Sequence, residues 1–369
     1  MRKLWRTGIG LLVIAGMAVS LTACTKPEPA VKASGIESVS YVAAAADLEK
    51  AAKMEGQIVS VGMPDSWANW KDTWEDLTGI YGLKHTDTAM SSSEGIAIFE
   101  AEKDKRAADI SDVGIAFAPV AVEKGIVQPY KTTYWDEIPD WAKDKDGNWV
   151  VGYQGTIGFL VNKTLVKDVP KSWEDLAKGD YKIVVGDVTQ AAQAQMSVLA
   201  AAMAMGGDES DIQPGIDFFR KLAKQKRISK AELSVANIEK GEIPVALLWD
   251  FNAIGYREQI DYEQFEVVIP SEGSVVSGNA TIINKYAPHP NAAKLAREYI
   301  LSDFGQINLA RGYARPIREN VKLPDDVASK LIDSSEYKHA KPVGDYKVWD
   351  ETSKKLPQLW QDQVLVHLD

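Results

Sequence analysis

Apolar residues along this chain fall into short β-branched runs that alternate with stretches of three-and-four spacing. Gln57–Gly62 (QIVSVG) is short, β-branched and glycine-ended, which predicts a strand. Trp67, Trp70, Trp74 and Leu77 keep helical spacing, and Gly79 is expected to stop that helix. Leu83–Met90 reads as a weaker strand, and Ser93–Lys105 as a helix capped by Ser91, Ser92 or Ser93. Ile110–Gly114 is the next strand, with a helix through Val122 after it. This βαβα order predicts a mainly parallel sheet with helices on both faces.

Two longer extended stretches interrupt the alternation: Val150–Asn162 and Ser274–Asn284. Between them lie a helix opening at Pro170–Leu176, a strand at Ile183–Asp187 and a helix over Thr189–Met205 that ends at Gly206-Gly207. Ile216–Lys224 is helical, and Val245–Trp249 and Phe265–Ile269 are strand-like. Helices dominate again from Pro290. Two α/β blocks separated by two extended stretches predict two lobes on a two-strand hinge. Lobe 1 is expected to take residues 46–158 with 282–369, and lobe 2 residues 159–281.

The N-terminus follows a different pattern. Arg2, Lys3 and Arg6 precede an apolar run, Gly8–Ser20, and then Leu21-Thr22-Ala23-Cys24. The run is shorter than the ~20 residues a bilayer span needs, but it suits a secretory signal. Residues 1–24 are therefore expected to be a lipoprotein signal peptide, with Cys24 as the acylated (palmitate-type) anchor to the membrane. Cys24 is the only cysteine, so no disulfide is expected. Residues 25–45, richest in Pro, Ser, Lys and Glu over Thr25–Ser40, read as a flexible tether. No later stretch is apolar over a membrane-spanning length.

The chain of 369 residues carries 42 basic and 52 acidic side chains. Without residues 1–24 the balance is 39 against 52, a net charge of −13. No basic stripe stands out, which argues against nucleic acid as a partner. No nucleophile elbow, phosphate-cradling Walker loop, dinucleotide fingerprint or zinc helix occurs, so the chain is read as a binder and not an enzyme. An exported hydrolase with carboxylates far apart in the chain is the rival. The four histidines are scattered without a partner at metal-ligand spacing and read as solvated surface, so neither metal nor cofactor is expected.

Several segments, taken in order, carry a family resemblance. They are Asp109–Gly114 (DISDVG), Gly125–Tyr130 (GIVQPY), Gly155–Asn162, Pro170–Leu176 (PKSWEDL) and Pro270–Ala280 (PSEGSVVSGNA). Together they resemble the extracellular solute-binding proteins of ABC importers. The likeness is to the type II group that holds ferric-iron, polyamine, thiamine, phosphonate and sugar-phosphate binders. It implies a monomer that captures a small-molecule solute between its lobes by hinge closure and delivers it to an ABC permease.

The resemblance also implies where the solute lies: at loops after strand ends and at helix N-termini. Ser91, Ser92 and Ser93 offer hydroxyls at a helix start, where unpaired N–H groups favour an anion. Thr189 and Gln190 match them in lobe 2. Trp249 and Asp250 follow a lobe 2 strand, as Trp67 follows the first strand. Tyr153, Gln154 and Thr156 stand on the first crossover, and Ser277 and Asn279 on the return. A solute with an anionic end (phosphate, phosphonate or carboxylate) is expected. The alternatives are ferric iron, which lacks the family's tyrosine pair here because Trp249–Asn252 stands in its place, and a polyamine, which Glu94, Trp249 and Asp250 keep open.

Overall fold

The computed structural model describes residues 43–101 and 108–368, so the signal, Cys24 and most of the expected tether lie outside the described residues. Helix α1 (Ala43–Glu55) leads into strand β1 (Gln57–Val61), helix α2 (Trp70–Tyr81) and strand β2 (Lys84–Thr88). Helix α3 (Ser92–Ala101), strand β3 (Ile110–Gly114) and helix α4 (Ala118–Glu123) follow. β1 pairs parallel with β2 on one side and with β3 on the other, as βαβ order requires.

The extended stretch after α4 is strand β4 (Trp149–Asn162). Then come α5 (Trp173–Lys178), β5 (Ile183–Val184), α6 (Ala192–Ala204), α7 (Gln213–Lys224) and α8 (Val235–Glu239). Strand β6 (Val245–Trp249), helix α9 (Asp250–Ile260), β7 (Phe265–Val268) and the return strand β8 (Ser274–Ile283) complete this block. The tail holds α10 (Pro290–Leu301), α11 (Asp303–Arg311), β9 (Arg315–Pro316), α12 (Asp325–Ala328), β10 (Ala340–Pro342) and α13 (Tyr346–Gln363).

The sheet runs in the order β2-β1-β3-β8-β4-β6-β5. Its two halves share β4. From Trp149 to Thr156 this strand pairs antiparallel with β8, and from Ile157 onward it pairs with β6 and β7. β4 and β8 are thus the two extended stretches of the sequence, lying side by side. Along that order they run antiparallel to β3, β6 and each other because each crosses between halves, while β1–β2, β1–β3 and β5–β6 are parallel, as is the short β10 against the start of β8. Each half-sheet is covered on both faces. Trp70, Leu77 and Tyr299 lie on one face of the first half, with Phe99, Val150 and Ile282 on the other. Phe159, Trp173 and Phe219 pack one face of the second, with Leu160, Ala246 and Phe265 on the other.

Three local expectations are corrected. The first helix starts at Trp70 and not Trp67, because Ala68 (φ 47°) and Asn69 (φ 57°) turn left-handed just before it. Gly79 sits inside that helix, and Gly82 (φ 72°) ends it with a left-handed cap. The last helix, α13, leaves the first lobe to which the sequence reading assigned it. It packs on α7, and Trp349, Leu356, Trp360 and Val364 join the core of Trp173 and Phe219. An amphipathic stripe shows that a helix buries one face, not which core receives it. No helix among the described residues is long and apolar enough to cross a membrane.

Candidate functional site

A cavity of about 920 Å³ opens where the two half-sheets meet β4 and β8. Its walls are built largely from strand ends and the helix starts that follow them. Trp67, Ser92, Ser93 and Phe117 come from the first half, and Gln190, Gln193, Trp249 and Asn252 from the second. Ser277, Gly278 and Asn279 of the return strand form its floor. Trp349 and Lys354 of α13 close one side.

The three serines divide their tasks. Ser91 caps α3: its N–H donates to Glu94 Oε2 at 2.8 Å, and Glu94 N–H donates back to Ser91 Oγ at 3.4 Å. The Ser91 N–H, with the Ser91 hydroxyl that also donates to Glu94 Oε2 at 2.7 Å, lowers the pKa of the Glu94 carboxyl. Ser92 Oγ accepts the Gly114 N–H at 3.0 Å, which ties the start of α3 to the end of β3. Ser92 and Ser93 face the cavity; Ser91 does not line it.

Trp67 enters the cavity because of the left-handed turn behind it. Its indole Nε1 donates to Tyr153 Oη at 2.6 Å. The buried Tyr153 donates in turn to Asp112 Oδ2 at 2.9 Å, and Asn279 Nδ2 reaches Tyr153 Oη at 2.9 Å and Asp112 Oδ2 at 3.1 Å. The network joins β3, both hinge strands and one cavity wall. Burial pushes the Asp112 carboxyl up to about 7, against the pull of its bonds from Asn279 and Tyr153. Burial, with the Asp112 charge, lifts the Tyr153 phenol well above its ordinary value.

Other expected site residues are used by the fold instead. Asp250 is 0% exposed and does not line the cavity. Its Oδ1 accepts the N–H groups of Thr156 (3.0 Å) and Phe251 (2.8 Å), and its Oδ2 accepts the Tyr337 hydroxyl (2.7 Å). Burial raises its pKa, so these bonds hold a carboxyl that has no access to a solute. Thr156 is buried in the same place. Gln154 donates Nε2 to the Pro316 carbonyl at 2.8 Å, fixing β4 to β9. Thr189 donates its hydroxyl to Asp187 at 2.6 Å in the turn before α6, while Gln190 next to it lines the cavity.

Phe117, Gln193, Asn252, Trp349, Lys354 and Asp112 went unread in the sequence. Only Asp112 carried a signal: a carboxylate inside an otherwise buried strand, ISDVG. His85 and His289 are corrected as well. His85 stacks on Trp74 at 3.9 Å and bonds Ser60 at 2.8 Å, and burial lowers its pKa to about 4. His289 bonds Asp109 at 2.9 Å. Among the described residues no three His, Cys, Asp or Glu side chains gather as a metal site.

Two lobes on a shared pair of strands, with a cavity between them, define a hinged binding protein. The chain belongs to the bacterial extracellular solute-binding protein family, whose model matches residues 107–339. It is thus a type II periplasmic binding protein of the ABC-importer class, a class made for export. It is 31% identical over 246 residues to an uncharacterised protein of Haemophilus influenzae, covering 61% of this chain and 67% of that one. It is 27% identical over 201 residues to the sulfate-binding protein of Salmonella typhimurium, covering 50% of this chain and 61% of that one. In fold it is similar to the periplasmic binding protein AfuA of Actinobacillus pleuropneumoniae, solved with fructose 6-phosphate bound. That match has TM-score 0.65 and 22% identity, covering 84% of this chain and 98% of that one. It is equally similar to the ferric binding protein of Campylobacter jejuni, with TM-score 0.65 and 20% identity, covering 83% and 98%.

Proposed function

We propose that this chain captures a small organic solute through an anionic end, closes on the β4–β8 hinge and hands the solute to an ABC permease. It works as a monomer, held at the membrane by a lipid on Cys24. The observation that carries the reading is the set of donors facing the cavity from opposite halves: Ser92 at the start of α3, and Gln190 and Gln193 at the start of α6, while Ser93 gives its hydroxyl to Ser91 Oγ at 3.2 Å. Helix N-termini favour an anion through unpaired N–H groups and the positive end of the dipole.

Among the described residues, the lysines on the cavity wall are already paired. Lys124 bonds Glu100 at 2.6 Å, and Lys354 bonds Asp350 at 2.5 Å. An anion there would be held by neutral hydroxyls and amides. The sulfate-binding relative and the fructose 6-phosphate bound to a protein of the same fold both accord with an anionic ligand.

Native mass spectrometry of protein purified without dialysis tests the identity of the solute. A phosphorus- or sulfur-containing or carboxylate mass is expected; a polyamine or iron overturns the anion reading. Adding that solute should raise the melting temperature and shrink the radius of gyration in scattering, since ligand bridging favours the closed state. Binding without compaction overturns hinge closure. Ser92→Ala should weaken the same solute by about 1–3 kcal/mol, the cost of a lost bond to a charged group.

A further inference from the structure

The atoms already spent inside the protein decide what the cavity wall has left to offer. Trp67 gives its indole N–H to Tyr153, so it presents ring surface alone. Asn279 commits its amide nitrogen to Tyr153 and Asp112, which leaves its carbonyl oxygen as an acceptor. Ser92 Oγ already accepts from Gly114, which leaves its O–H to donate. Gln193 Oε1 accepts the Trp249 N–H at 3.4 Å, which leaves its NH₂ to donate.

Donors therefore reach the cavity from both halves, and an acceptor stands at the hinge. Beside these groups, and the ion-paired Lys124 and Lys354, the wall carries an apolar patch. Trp249 is half-buried, packed against the cores of both halves, and its remaining surface joins Phe117, Ile96 and Met196 around the cavity. An inorganic oxyanion would fill a small part of about 920 Å³, a volume within the range of about 300–1,000 Å³ that encloses drug-sized organic ligands.

We propose that the solute is an oxyanion carried on a planar aromatic body. The oxyanion meets Ser92 and Gln193, the ring lies against Trp67 and Trp249, and a hydroxyl or N–H on the ring donates to Asn279 Oδ1. Ring stacking on the indole surface left to the cavity suits this wall: Trp67 already meets Phe251 edge to face at 5.4 Å, and Trp249 packs partly on both cores. The proposal rests on the anion reading above and narrows its ligand class.

Calorimetry on the full-length chain with phenyl phosphate, fructose 6-phosphate and inorganic sulfate tests it. Phenyl phosphate should bind at least tenfold more tightly than the other two. Trp249→Leu should lower the melting temperature, since the indole packs on both cores, and should cost at least tenfold more affinity for phenyl phosphate than for sulfate. Equal or tighter binding of fructose 6-phosphate or sulfate overturns the aromatic proposal and leaves the anion reading standing. So does an unchanged phenyl phosphate affinity in a folded Trp249→Leu variant. If that variant does not fold, the ranking of ligands on the unaltered chain decides. Binding of none of the three overturns both.

Discussion

At the scale of single residues, the site depends on a carboxylate that no solute touches. Asp112 lies 4% exposed under the cavity and accepts from both Tyr153 and Asn279. Its pKa is raised to about 7, so the folded state holds its proton where the unfolded chain has lost it. The stabilising contribution is complete below about pH 4 and fades as pH rises to about 7. Asp112→Asn should remove that fall. Chemical denaturation of both proteins between pH 4 and 8 measures it, and an equal pH slope in the two would contradict the assignment. His85 acts with the opposite sign: lowered to about 4 by burial, it favours folding above its ordinary pKa and loses that as pH falls. Little of this was legible in the chain. Asp250 follows the end of β6 and Asp112 lies inside β3, and only their partners, Tyr337 for one and Tyr153 for the other, assign them their roles.

At the scale of elements, the hinge is where sequence and structure agree most. Two stretches without helical periodicity became β4 and β8, because long β-branched and glycine-containing runs have no other regular structure available. Their pairing carries a bulge between Val151 and Tyr153, and Gly278 lies against it. A Cβ at Gly278 would stand 2.5 Å from both the Tyr153 carbonyl oxygen and Val151 Cγ1. Gly278→Ala should therefore cost about 1–3 kcal/mol by overpacking, and an unchanged denaturation midpoint would show that the hinge yields. The start of α2 was misread for a local reason. Trp67 holds the helical spacing of Trp70 and Trp74, but the left-handed Ala68 and Asn69 carry it away from the helix and into the cavity.

At the scale of the whole molecule, a receptor for an importer must stay near its permease. Cys24→Ser should therefore move the protein from the membrane to the soluble fraction with its melting temperature unchanged; retention in the membrane would refute the lipid anchor. The main alternation of strands and helices, the two crossovers and the hydroxyl-rich helix starts were legible in the chain, whereas α1, α8, α9 and the short β9 and β10 were not. Each legible feature is written in neighbouring residues through periodicity, capping and chain stiffness. Long-range packing alone places α13 on the second core, seals Asp250 into the hinge and brings Trp67, Ser92, Gln193 and Trp249 to one cavity. Those outcomes depend on partners more than 50 residues away, such as Tyr153 for Trp67 and Gln193 for Trp249. A polar atom's availability is set by what has already bonded it, and no local pattern records that.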